Sequence, residues 1–157
     1  MSNQIQARAV SRAVQELQDA TDLLDELAAR RLGVNRTDLR CISRLCAKGP
    51  QTAGELATAA GLTKGATTTA IDRLEQAGLA RRARDTADRR RVLVHLTDEA
   101  EQAVEEIWGP IVADAQAELE RFGLAELEVV EAFLTRALGV QTRHTERLRG
   151  TIESDRG

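Results

Sequence analysis

The sequence predicts a mainly α (α+β) chain in which long helices frame a compact middle segment that ends in one β-hairpin. Three observations carry this. Through most of the chain apolar residues recur every three or four positions, the spacing of one helix face. Just after Gly78 the spacing shifts to two, and after Thr97 the helical spacing returns. Charge is segregated as well: Arg81–Arg91 holds six arginines against Asp85 and Asp88, whereas Thr97–Thr135 holds eleven acids and a single basic residue, Arg121.

The first element is a long amphipathic helix over residues 5–31, with Val10, Val14, Leu17, Leu24 and Leu27 on its apolar side and Gly33 marking its end. Asn35 is placed to cap the next helix, and Asp38 at its third position comes close to a capping box. Leu39, Ile42 and Leu45 face inward until Gly49-Pro50 stops this helix. A short helix starts at Thr52, where Thr52 and Glu55 form a Thr-x-x-Glu capping box, and ends at Gly61. Thr63 caps a further helix that runs to Ala77, followed by Gly78, the residue type that tolerates the left-handed conformation closing a helix. Two helices joined by a short glycine-containing turn have the sequence form of a helix-turn-helix.

Residues 79–84 and 91–96 read as the two strands of the hairpin, joined by the polar turn Asp85-Thr86-Ala87-Asp88. Thr97 caps the next long helix, whose early acids Asp98, Glu99 and Glu101 suit the positive end of a helix dipole. Its apolar stripe runs from Val104 through Ile107, Trp108, Ile111 and Val112 to Leu119 and Phe122, and Pro110 inside it removes one hydrogen bond or bends it. After Phe122-Gly123 a last helix extends to about Ile152, with Leu127, Val130, Phe133, Leu134 and Leu138 on one side. The expected organisation is one domain over residues 1–157: a winged helix-turn-helix lobe over 35–97, and helices over 5–31 and 98–152 that dimerise. Their stripes lie far in sequence from the compact middle, so a second copy of the chain is the simplest cover for them.

Length and composition fit a folded protein of one domain, with 42% apolar and 30% charged residues. Phe122, Phe133 and Trp108 are the only aromatics, so the core must be aliphatic. No run of about 18 apolar residues exists and the first residues lack a targeting pattern, which leads to the expectation of a cytoplasmic protein without membrane contact. Cys41 and Cys46 lie five apart in one helix, about 140° around its axis. They are not placed to pair, C-x4-C is not a zinc spacing, and both read as small buried apolar residues. Enzyme chemistry has poor raw material: His95 falls on a strand, His144 on the last helix, and no phosphate loop, G-x-S-x-G or H-E-x-x-H occurs. No cofactor and no metal are expected.

The net charge of −3 argues against nucleic acid until its placement is considered. A basic element on an acidic frame is the economical arrangement for a protein that touches phosphate at one place only. In the helix after Thr63, residues Thr67, Ala70, Ile71 and Leu74 share the inward face, leaving Lys64, Gly65, Thr68 and Thr69 outward with Asp72. Lysine bonds guanine or phosphate, threonine offers a hydroxyl and a methyl suited to thymine, and Gly65 permits close approach, as major-groove reading requires. Arg73 joins this set as a DNA contact, and Asp72 is expected to pair with Arg73 or with a hairpin arginine. In the hairpin, Arg90 is assigned to a narrow minor groove with Asp88 orienting it. Arg89 serves groove or phosphate, and Arg82, Arg84 and Arg91 add backbone contacts, with Arg81 beside them. A hairpin charged only for solubility is the plain alternative; six arginines without a lysine speak against it, since guanidinium forks match phosphate geometry.

The segments Glu55-Leu56-Ala57, Gly61-Leu62-Thr63, Ile71-Asp72-Arg73-Leu74-Glu75-Gln76-Ala77-Gly78-Leu79 and Asp88-Arg89-Arg90-Arg91-Val92-Leu93-Val94-His95-Leu96-Thr97 resemble, in kind and spacing, the signature of the multiple-antibiotic-resistance regulator (MarR) family. Ala100 departs from it, standing where the family commonly has glycine. The resemblance implies a homodimer with intertwined terminal helices and two winged lobes reading a palindromic operator in double-stranded DNA. It also implies repression of transcription, relieved when a small-molecule effector changes the lobe spacing. Two alternatives stay open at this point: a regulator that senses oxidants through Cys41 or Cys46, and a winged-helix interaction dimer that has lost DNA binding.

Overall fold

The computed structural model describes residues 3–154, without the side chain at 153; the ends of the expected 1–157 domain, residues 1–2 and 155–157, lie outside the described residues. In chain order the elements are α1 (Asn3–Leu32), α2 (Arg36–Lys48), α3 (Ala53–Ala60), α4 (Lys64–Gln76), β1 (Ala80–Arg84), β2 (Val92–Leu96), α5 (Asp98–Leu119) and α6 (Leu124–Ser154). The mainly α fold with one small hairpin is thus the fold the periodicity predicts. Two compact units divide the chain, Met1–Gly109 and Pro110–Gly157.

In the first unit, α2, α3, α4, the hairpin and the start of α5 share one aliphatic core. Ile42, Leu56, Ile71, Leu74 and Val94 are its largest fully buried side chains. Apolar burial of this kind supplies the main driving force for the lobe. Side-chain caps set the starts of the helices. Asn35 accepts from the amides of Thr37 and Asp38, and Thr63 accepts from Ala66. Thr52 and Glu55 form the complete reciprocal box. Asp38 does not close a box with Asn35; its carboxylate turns into the protein, as described below.

The exit from α4 is a left-handed closure at Gly78, φ +71°, where the Leu79 amide reaches back to the Leu74 carbonyl and the Gly78 amide to that of Glu75. A side chain at this φ would be strained, so glycine here fixes the direction in which the chain leaves α4 for β1. The Thr97 hydroxyl donates to the Gly78 carbonyl at 2.8 Å and accepts from the Ala100 amide, so one side chain joins the end of α4 to the start of α5. Ala100 is itself buried in the core, so its methyl fits where the family commonly has glycine.

The hairpin is antiparallel, with Ala80 opposite Leu96, Arg82 opposite Val94 and Arg84 opposite Val92. Gln51 adds a single bridge to Val94, its amide and carbonyl bonded at 3.3 and 2.7 Å, which ties the start of α3 to β2. Nothing in the strand pattern announces this third contributor.

One expectation about burial is corrected. Cys41 is fully buried, but Cys46 is exposed, because it sits one position past the inward-facing Leu45 and turns away from the core. The stripe of α1 is largely uncovered in the single chain: Val10, Leu17 and Leu27 are exposed, and burial is confined to Ala28 and Ala29 near its end. The α5 stripe is half-buried at Val104, Ile107 and Trp108 and exposed from Ile111 onward, and the helix continues through Pro110. In the second unit Leu127 and Val130 are half-buried, whereas Phe133, Leu134 and Leu138 are exposed.

Candidate nucleic-acid interface

The face of α4 opposite the core presents Lys64, Gly65, Thr68, Thr69 and Asp72, all exposed, while Thr67, Ala70, Ile71 and Leu74 are buried. The outward hydroxyls of Thr68 and Thr69 donate back to the carbonyls of Lys64 and Gly65, each at 3.0 Å. With that proton engaged, each threonine offers outward its methyl and the oxygen's lone pairs. That combination suits a thymine methyl or an exocyclic amino group of adenine or cytosine. Gly65 has open space around its Cα, so the helix surface is low where a base edge would approach.

The hairpin tip is organised by aspartates. Asp85 accepts from the Ala87 amide at 2.9 Å and Asp88 from the Arg90 amide at 3.0 Å, with main-chain bonds from Asp85 to Arg91 and from Arg91 to Asp88. Asp88 thus holds Arg90 through its backbone amide. Arg89 and Arg90 are exposed at this tip and Arg84 beside it.

Carboxylates divide the arginines into two groups. Arg73 lies on the flank of α4 and donates through Nε to both oxygens of Asp38, at 3.0 and 3.2 Å; Asp38 is only 2% exposed. Arg82 bridges Asp72, at 2.7 Å, and Glu75. Arg91 reaches Glu55 at 2.7 Å, on the same carboxylate that closes the Thr52 box. Asp72 thus finds the hairpin partner expected for it. Among the described residues Lys64, Arg81, Arg84, Arg89 and Arg90 have no carboxylate within ion-pairing distance. The three held arginines sit where the hairpin and α4 join the lobe; of the free cations, Lys64 is on the outer face of α4, Arg84, Arg89 and Arg90 lie toward the tip, and Arg81 lies at the base of β1 opposite His95. Of the acids that hold the three arginines, Asp38, Glu55, Asp72 and Glu75, only Asp72 is expected from the sequence to have an arginine partner; no sequence motif announces the roles of Asp38, Glu55 and Glu75 as ion-pair partners.

The electrostatics follow these bonds. Donation from the Thr52 amide, then from its hydroxyl, with Arg91 adding to both, holds the Glu55 carboxyl below its ordinary range. The hydrogen bond to Asp72 raises Arg82 further, and the bond to Asp38 does the same for Arg73. Burial pushes the Cys41 thiol up to about 11, with Asp38 adding to it, and burial together with Glu101 raises Cys46. Cys46 borders a cleft of about 320 Å³ with Ile42, Ser43, Ala47, Val104 and Trp108. Among the described residues no helix is long and apolar enough to cross a membrane.

A helix-turn-helix whose second helix shows short polar side chains, followed by a hairpin with unpaired arginines toward its tip, defines a winged-helix DNA-binding protein. The chain belongs to the MarR family of transcriptional regulators, which bind DNA; the family's profile matches residues 34–92. It is 33% identical over 129 residues to the HTH-type transcriptional regulator YcgE of Bacillus subtilis, covering 82% of this chain and 84% of the relative. Among solved structures it is similar to a MarR family protein of Bacillus stearothermophilus, with 26% identity, a TM-score of 0.59, and coverage of 87% of this chain and 97% of the other. The fold is also that of apo MarR from E. coli, at 23% identity and a TM-score of 0.56 over 82% of this chain and 96% of the other.

Proposed function

We propose that this regulator is a homodimeric repressor that acts in the cytoplasm on a palindromic operator and is released by a small-molecule effector. The observation that carries the reading is the cluster of unpaired cations, Lys64 on α4 and Arg84, Arg89 and Arg90 toward the hairpin tip, beside Arg73, Arg82 and Arg91, which are matched to acids. In this reading Lys64, Gly65, Thr68 and Thr69 meet the major groove. Arg89 and Arg90, set by Asp88, enter the adjacent minor groove, and Arg84 contacts phosphate. Arg73, Arg82 and Arg91 serve the site by holding its parts together.

Residues 35–97 are the reading lobe, and residues 5–31 and 98–152 are the dimerising helices. The exposure of Leu17, Leu23 and Leu27 on α1, and of Phe133, Leu134 and Leu138 on α6, supports a second copy as their cover. The cleft beside Trp108 is apolar enough to take an effector ring. The raised thiols disfavour the oxidant-sensing alternative, since a protonated thiol is a poor nucleophile.

The test is selection of bound fragments from random duplex DNA by the purified protein, with its mass measured free and bound by sedimentation. A recovered inverted repeat bound by two chains is the expected result. Recovery of no sequence above background, or a single chain bound to an asymmetric site, overturns the reading.

A further inference from the structure

The hairpin is fastened to the rest of the lobe at both of its strands, and both fasteners are arginines that the sequence pattern groups with the DNA contacts. On β1, the Arg82 amide donates to one Glu75 oxygen at 2.8 Å, and its guanidinium takes the other Glu75 oxygen together with Asp72 at 2.7 Å. On β2, the residue that enters the strand, Arg91, is held by Glu55 at the start of α3. Between the two fasteners lies the tip with the unpaired arginines.

The Arg82 fastener has the geometry of a lock. Asp72 and Glu75 are three residues apart, so they stand one above the other on a single flank of α4. A planar guanidinium offers several donors in a fixed fork and can meet both at once, which a lysine ammonium on a flexible stem cannot do with the same rigidity. The side chain of Arg82 is about one-third exposed, on the inward side of the hairpin opposite Val94, and it is not extended toward the tip. With two carboxylates on one guanidinium, little net positive charge is left there for phosphate. Without it, Asp72 would stand as a bare anion on the DNA-facing side of α4.

We infer that Arg82 is a positioning residue which locks the hairpin to the recognition helix, fixing the spacing at which the two elements enter neighbouring grooves. The inference rests on the DNA-reading function proposed above and goes further by removing Arg82 from the phosphate contacts. The lock separates two properties that otherwise travel together: the hairpin can lose its placement while α4 keeps its own, because α4 is held independently by its buried face and by Arg73–Asp38.

The experiment uses Arg82→Lys, Arg82→Ala and the pair Asp72→Asn with Glu75→Gln, in the full chain, with two readouts. The first is amide exchange in the free protein. Each variant is expected to raise exchange of the Arg82 and Asp85 amides by about tenfold or more, with those of the buried α4 face unchanged, as a local opening does. The second is footprinting on the selected duplex. Hydroxyl-radical protection of the minor groove under the hairpin is expected to be lost in Arg82→Lys, while protection of guanine N7 under α4 persists; a general folding defect would remove both. In the double-mutant cycle, Arg82→Ala added to the Asp72→Asn, Glu75→Gln background is expected to change affinity less than twofold. Unchanged exchange in all variants overturns the lock. So does an intact Arg82→Lys footprint together with an equal loss for Arg82→Ala in both backgrounds, since that is the behaviour of a phosphate contact. If the wild type protects no duplex, the DNA reading fails, and exchange alone decides whether the lock exists.

Discussion

The salt dependence of binding follows from which cations are free. Each cation seated against duplex DNA, on a phosphate or in a groove flanked by phosphates, displaces condensed counterions and contributes about −0.9 to the slope of log affinity against log salt. Of the unpaired cations, Lys64, Arg84, Arg89 and Arg90 are those on the proposed reading face. In the proposed dimer they set a slope near −7, so that affinity falls by about 10⁴-fold between 50 and 200 mM salt. Arg84→Ala removes one contact from each protomer and should bring the slope to about −5, weakening all sequences alike. Arg73→Ala should leave the slope where it was, because Asp38 already matches that guanidinium; its effect belongs to stability. The assay is fluorescence anisotropy of a labelled operator and a scrambled duplex over a salt series. A wild-type slope shallower than about −3, or slopes reduced equally by Arg84→Ala and Arg73→Ala, would refute the division into free and held arginines.

Three further outcomes are expected. Ile71 exposes no surface and anchors α4, so Ile71→Ala should destabilise by about 2 to 5 kcal/mol and lower the urea midpoint by about 1 M or more. Glu55 has a lowered pKa in the folded lobe, so its contribution is complete above the ordinary carboxylate range and fades as pH falls through its folded value. Urea midpoints of wild type and Glu55→Gln should accordingly differ at pH 7 and converge toward pH 3. With its pKa near 11, Cys41 is thiolate to only about one part in ten thousand at pH 7, so mild peroxide should leave operator affinity unchanged; loss of binding that Cys41→Ser prevents would contradict this.

The fold was legible because its signals are local. Capping side chains at Asn35, Thr52, Thr63 and Thr97, glycines at the ends of α3 and α4, and the change of period at Gly78 each act within a few residues. Strand limits at Ala80–Arg84 and Val92–Leu96 fall within a residue of those read from alternation. The outward set on α4 was equally legible, because the 3.6-residue period separates Lys64, Gly65, Thr68 and Thr69 from the buried positions. The fate of individual charges was not. Asp38 and Arg73 are 35 residues apart, and Glu55 and Arg91 are 36 apart. No spacing rule connects them until α2, α3, α4 and the hairpin have packed.

That failure has a direction. A run of arginines reads as uniformly phosphate-seeking, yet in the proposed reading each carboxylate that folding brings alongside turns one arginine from that role toward a mechanical one. Phosphate contacts draw the protein to any duplex, whereas the angle between hairpin and recognition helix decides which groove geometry it accepts. A lobe carrying all seven of Arg73, Arg81, Arg82, Arg84, Arg89, Arg90 and Arg91 unpaired would bind more tightly and discriminate less. Matching Arg73, Arg82 and Arg91 to acids trades part of the non-specific attraction for a fixed frame. Neutralising the acids that hold Arg73 and Arg91, with Asp38→Asn and Glu55→Gln, should therefore raise affinity for scrambled duplex while lowering it for the operator, and the ratio of the two, measured at one salt concentration, is the quantity that tests it.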